Sequence, residues 1–67
     1  MPDELIERNA RAEVMDLLYN QALVLRKLTD NPLFLIPEYA QIMAKLKSIE
    51  AQLMAIQADI GTLPFVG

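Results

Sequence analysis

A heptad repeat of large apolar residues over 37–60 constrains the fold of this chain more than any other feature. The gaps between these residues alternate between three and four without a break: Tyr39, Ile42, Leu46, Ile49, Leu53, Ile56 and Ile60. This spacing brings the side chains to one side of an α-helix and is typical of a coiled-coil seam. The sequence therefore predicts a helix over 37–60 that packs against a partner helix through this heptad seam.

The first part of the chain supplies a partner helix. Residues 3–28 contain no Gly or Pro and consist mainly of good helix formers. Arg26 and Lys27 fall at the end of this segment, where cations complement the helix dipole. We therefore predict a first helix over 3–28. Its apolar side is broader and less regular than the heptad seam and comprises Ile6, Ala10, Val14, Leu17, Leu18, Leu25 and Leu28, with Gln21 as a polar member.

Residues 29–36 have the composition of a connection between two helices. Asp30 and Asn31 favour a turn, and prolines at 32 and 37 disfavour helix in the residues before them. Asn31 is also placed to cap a short helical turn. Four large apolar residues follow over 33–36, and they either close the end of the hairpin or are presented to a partner. We expect Leu35 to pack inside, because it extends the heptad seam backward, and Phe34 to be presented.

The carboxyl end of the chain reads as a helix stop followed by an apolar tail. Gly61 is a common helix terminator, and Pro64 follows it at a typical distance. Residues 61–67 are too few to fold alone. We expect this tail to lie back on a helix or on another chain.

These segments predict an all-α protein with a single domain over 1–67: an antiparallel, coiled-coil-like two-helix hairpin. A domain of 67 residues is marginally stable unless disulfides, a metal or association supports it. The chain has no cysteine and is 54% hydrophobic, and one hairpin buries only one side of each helix. We therefore predict a homodimer in which two hairpins form a four-helix bundle.

The residue inventory argues against catalysis, cofactors and metals. The chain has no histidine and no cysteine, and its two glycines are too few for a phosphate-binding loop. Glu13 and Asp16 share a helix side and have the spacing of an acid–base pair or a cation site. Nothing apolar encloses them in the sequence, so we interpret them as part of a solvated helix surface. We predict that the protein is not an enzyme.

Charge and hydropathy exclude further classes of partner. The net charge is −3 with no basic patch, so nucleic-acid binding is not expected. Mimicry of nucleic acid is disfavoured as well, because six bases offset the nine acids. No apolar run reaches the length of a membrane span, and the acidic amino end does not resemble a secretory signal. We expect no membrane contact and a cytoplasmic location.

Recognition through helices remains as the expected function. We predict a homodimeric interaction module that binds a larger cellular or host protein and regulates or inhibits it, as small virus-encoded inhibitors and adaptors do. Leu33 and Phe34 are the expected partner anchors. Tyr19 and Leu23 lie four residues apart on the first helix and form either a subunit contact or a secondary binding patch.

Two alternatives remain open at the level of sequence. The first is a structural subunit of a larger assembly, such as a virion or secretion component, whose apolar residues pack against sister subunits. The second is a dimerisation module cut from a regulator. Met1 at the start and two helices that look complete count against the second alternative.

Overall fold

The computed structural model describes residues 2–66, and all regular secondary structure among them is helical, which confirms the predicted all-α class. Helix α1 spans Pro2–Thr29 and helix α2 spans Ala40–Thr62. Two short 3₁₀ helices, Pro32–Leu35 and Pro37–Tyr39, connect them. The two long helices pack against each other as an antiparallel hairpin, which extends 54 Å along its longest axis and 15 by 11 Å across.

Helix α1 ends where its side chains and backbone offer alternatives to the helical hydrogen bonds. The Thr29 hydroxyl donates to the Arg26 carbonyl at 2.9 Å, and the Asp30 amide donates to the same carbonyl at 3.2 Å. Asn31 then adopts an extended backbone, and its side-chain oxygen accepts from the Leu33 amide at 2.9 Å. This capped turn confirms the expectation that Asn31 initiates a short helical turn before the second helix.

The second long helix is displaced toward the carboxyl end from its predicted bounds of 37–60. Pro37 begins a 3₁₀ turn, and the α-helical pattern starts only at Ala40. Gly61 does not stop the helix, which continues to Thr62 with Gly61 outside the left-handed region. A Cβ at Gly61 would lie 3.1 Å from the Met15 methyl carbon, so the absence of a side chain at this position admits a close approach of α1.

The hairpin has little interior. Among the residues that the structure describes, only Ala22 and Thr29 are buried, with 3% and 7% of their surfaces exposed. No large side chain in this part of the chain is fully buried. Because two helices in contact shield only one side of each other, most apolar residues of the sequence stay at the surface.

Candidate interaction surfaces

The heptad seam of α2 divides into two sets in the structure. Every second member turns toward α1 and is half-buried: Tyr39, Leu46, Leu53 and Ile60. The other three, Ile42, Ile49 and Ile56, are between 45% and 49% exposed. The expectation that all seven face the partner helix within the hairpin therefore holds for the first set only.

Polar residues take the places that the three isoleucines leave along the line of contact. Glu50 and Gln57 are half-buried there, together with Met43. Glu50 accepts a hydrogen bond from the Arg26 guanidinium at 3.0 Å, and the Gln57 side-chain amide donates to the Met15 carbonyl at 3.1 Å. These bonds satisfy the two polar groups, so the hairpin is able to place them inward at a small energetic penalty.

Helix α1 shows the same rotation away from the predicted contact side. Of its predicted apolar side, only Leu18 and Leu25 turn inward. The remaining members are exposed: Ile6, Ala10, Val14, Leu17, Gln21 and Leu28. Residues of smaller or more polar character form the contact line instead, and Arg11, Met15, Ala22 and Thr29 are half-buried or buried along it.

Eight of the exposed large apolar side chains lie on one side of the hairpin, which we call the outer apolar face. Its members, each between 43% and 66% exposed, are Ile6, Val14, Leu17, Val24, Leu28, Ile42, Ile49 and Ile56. On each helix most of them immediately precede an inward residue, as Leu17 precedes Leu18 and Ile49 precedes Glu50. Each is thus rotated by about 100° from the contact line in the same sense. In an antiparallel pair, equal rotations lead to the same side of the hairpin.

The opposite side of the hairpin is formed by residues that follow the inward positions, and it has a different character. Helix α1 contributes Leu5 and Tyr19, which are 59% and 46% exposed, and the half-buried Leu23. Helix α2 contributes mainly small side chains to this side, namely Ala44, Ala51 and Ala58, with Met54 as the largest. We call it the alanine side. Tyr19 and Leu23 thus lie on the same side of α1, as their spacing predicts.

The connection presents a different set of residues from the predicted one. Leu35 was expected inside the hairpin, but it is 84% exposed. Phe34 was expected to be presented, but it is half-buried. The cause is the 3₁₀ turn: its tighter winding changes the direction of each side chain relative to an α-helical extension of the seam. Leu33 and Ile36 are exposed beside Leu35, so the end of the hairpin carries three accessible aliphatic side chains.

Residues 63–66 of the predicted tail fold back on the amino-terminal half of α1, whereas Gly61 and Thr62 belong to α2 and Gly67 lies outside the described residues. The Arg11 guanidinium donates hydrogen bonds to the carbonyls of Leu63 and Pro64, and its central carbon lies 4.0 Å from the centre of the Phe65 ring. The Val66 amide donates to the Glu7 carboxylate at 2.8 Å. These contacts confirm that the tail lies on a helix. No spacing in the sequence identifies Arg11 and Glu7 as the residues that hold it.

Across residues 2–66, no three acidic side chains come together as a cation site. Glu13 and Asp16 are both exposed on α1. Neither helix in the described part of the chain is long and apolar enough to cross a membrane.

The fold thus defines an antiparallel helical hairpin with two distinct lateral surfaces and an apolar end. No protein-family model, curated protein or solved structure matches the chain significantly, so the functional argument rests on its own residues and their geometry.

Proposed function

We propose that this protein is a small, non-enzymatic protein–protein interaction module that works as a homodimer and binds a larger cellular or host protein, which it regulates or inhibits. One observation carries the proposal: the described part of the hairpin contains no fully buried large side chain although the chain is 54% hydrophobic. A domain of this size needs a core or a partner, and the hairpin lacks the core. Association supplies the burial that the isolated hairpin lacks.

A four-helix bundle is the assembly that we propose for the dimer. Two hairpins packed side by side cover one further side of each helix and share one core, as in four-helix bundles. Each hairpin is already antiparallel and nearly straight over its 54 Å length, as bundle formation requires. The proposed location is the cytoplasm, which the cysteine-free composition and the acidic amino end support.

For the larger protein partner, we propose the connection as the primary site. Leu33 and Phe34 remain the proposed anchors, and the exposure of Leu35 adds a third residue to the same end of the hairpin. Two prolines limit the backbone freedom of this segment, which reduces the entropy lost when it binds. Tyr19 on the alanine side is the proposed secondary contact.

The association proposal is tested by the mass of the purified chain in solution. We expect light scattering coupled to size exclusion to give a discrete dimer over a wide range of concentration. A stable, folded monomer at high concentration would refute the proposal. The partner site is tested by comparing Leu35→Ala and Phe34→Ala with Tyr19→Ala. We expect the first two variants to lose binding to a captured protein partner while they keep the helicity and mass of the unmodified chain.

A structural subunit of a larger assembly is the second candidate, and the distribution of exposed residues favours it. Large apolar side chains are exposed on the outer apolar face, on the alanine side and at the connection. Surfaces that point in different directions allow open-ended packing of sister subunits. Assembly that continues beyond a dimer as concentration rises would support this candidate over the regulatory one.

A further inference from the structure

We infer that the outer apolar face is the dimer interface, and that a second copy of this chain covers it face to face. This assignment rests on the homodimer proposed above and specifies which of the two lateral surfaces forms it. The alanine side and the connection then remain outside the dimer, where a protein partner can reach them.

The first argument is the size of the outer apolar face. Its eight large side chains, each about half exposed, offer on the order of 300–500 Å² of apolar surface. Contiguous patches of this size on a monomer commonly mark interaction sites. A standard interface covers about 800 Å² per partner, of which about two-thirds is apolar in homodimers. Two-thirds of 800 Å² is about 530 Å², so the face supplies the larger part of the apolar area that such an interface covers.

The second argument is the shape and polarity of the outer apolar face. It extends along both helices, from Ile6 to Leu28 on α1 and from Ile42 to Ile56 on α2, and so follows most of the length of the hairpin. At the edge of α2, the exposed polar residues Lys45 and Gln52 border the isoleucines, and on α1 the exposed Gln21 is a polar residue among the apolar members of the face. An apolar centre with a polar border is the usual anatomy of a protein interface. A second hairpin has the length and the apolar stripe that match this surface.

The third argument is availability. A hairpin with almost no buried apolar residue needs its partner from the time of folding, because without it the folded state has little to stabilise it. Another copy of the same chain is the one partner always produced with it. The alanine side is a poorer candidate for this role, since α2 contributes mostly methyl groups to it and fewer large side chains would become buried.

The test compares two substitutions whose starting exposures are matched. Ile49 on the outer apolar face is 45% exposed in the hairpin, and Tyr19 on the alanine side is 46% exposed. A charge at either position would therefore perturb an isolated hairpin to a similar extent. In a two-fold symmetric dimer, Ile49→Glu places two charges in the interface. We expect Ile49→Glu to weaken dimerisation by at least about 100-fold and Tyr19→Glu to leave it within a few-fold of the unmodified chain.

A second measurement keeps the assignment testable if Ile49→Glu fails to fold. The chain has no cysteine, so Ile49→Cys and Tyr19→Cys each introduce a unique thiol. We expect the thiol at position 49 to react slowly with a maleimide at high protein concentration and faster on dilution. The thiol at position 19 should react at the same rate throughout. A rate at position 49 that is independent of concentration, in a chain shown to be dimeric, would overturn the assignment.

The outcomes separate this assignment from the proposal on which it rests. If the unmodified chain is monomeric at every concentration, the proposed homodimer itself fails. If the unmodified chain is dimeric, and Tyr19→Glu dissociates it while Ile49→Glu does not, the homodimer stands and the alanine side is its interface.

Discussion

Replacement of Ala22 by leucine tests the packing of the two helices most directly. Ala22 is 3% exposed and lies on the contact line between the two helices. On either side of it in the sequence, the Met15 carbonyl accepts a hydrogen bond from Gln57 and the Arg26 guanidinium donates one to Glu50, so both residues connect α1 to α2. The leucine side chain adds three carbon atoms where the helices approach closely. Overpacking of this kind costs about 1–3 kcal/mol, because backbones or neighbouring side chains must shift.

That penalty is large for a chain of this length. Stabilities of about 0.05–0.15 kcal/mol per residue give about 3–10 kcal/mol for 67 residues. In a domain of this size, each 1 kcal/mol of destabilisation lowers the melting temperature by about 4–8 °C. We therefore expect Ala22→Leu to melt about 5–20 °C below the unmodified chain when unfolding is followed by circular dichroism at fixed protein concentration.

Ala12→Leu is the matched control for this experiment. Ala12 lies on the same helix and is exposed, and it follows the inward residue Arg11, so it is outside the outer apolar face. The two substitutions change helix propensity by the same small amount and differ only in what surrounds them. Equal melting temperatures for the two variants would refute the close approach of α2 to Ala22 and, with it, the rotation of α1 described above.

Three further predictions concern contacts at other points of the hairpin. Gly61→Ala should raise the free energy of unfolding, measured with denaturant, by up to about 1 kcal/mol, because alanine favours helix. The methyl end of Met15, 3.1 Å from the new Cβ, is able to shift slightly, and a clear decrease in stability would show that it is not. Arg11→Ala should release the tail and speed its amide exchange, with Arg11→Lys intermediate because lysine lacks the planar fork; unchanged protection would contradict the role of Arg11. A double-mutant cycle between Arg26 and Glu50 should give a coupling energy below about 1 kcal/mol, because the Arg26 side chain is 63% exposed. High salt should reduce this energy. A much larger coupling energy would mean that solvent is excluded from the ion pair.

The proposed arrangement gives the two lateral surfaces of the hairpin different functions. In this proposal, a second copy covers the outer apolar face, while the alanine side and the connection remain available to another protein. This division explains why a chain without a core carries large apolar residues on more than one side. It also predicts that substitutions at Leu35 weaken partner binding while the chain stays dimeric. Substitutions at Ile49 should instead lower the mass in solution from dimer to monomer.

Much of the secondary structure was predictable because it depends on local chemistry. The helix-forming residues over 3–28, the turn residues Asp30 and Asn31, and the heptad spacing after Pro37 indicate two helices and a connection. The bounds were less predictable. Gly61 remains helical although glycine commonly ends a helix, and the Met15 side chain next to it belongs to a residue that is far away in the sequence. The direction of Leu35 depends on a 3₁₀ turn whose winding the heptad spacing does not reveal.

The sequence by itself determined that two amphipathic helices form and that they carry more apolar surface than one hairpin can bury. Only the tertiary structure decided which side of each helix turns inward. Periodicity identifies the residues that share a side, but a helix with two apolar sides has no unique inward rotation. As polar residues, Glu50 and Gln57 are expected at solvent-exposed positions. In the structure they turn inward, where Arg26 donates a hydrogen bond to Glu50 and the Met15 carbonyl accepts one from Gln57. With those partners in place, Ile42, Ile49 and Ile56 turn outward, because one rotation of a rigid helix fixes the direction of every side chain on it.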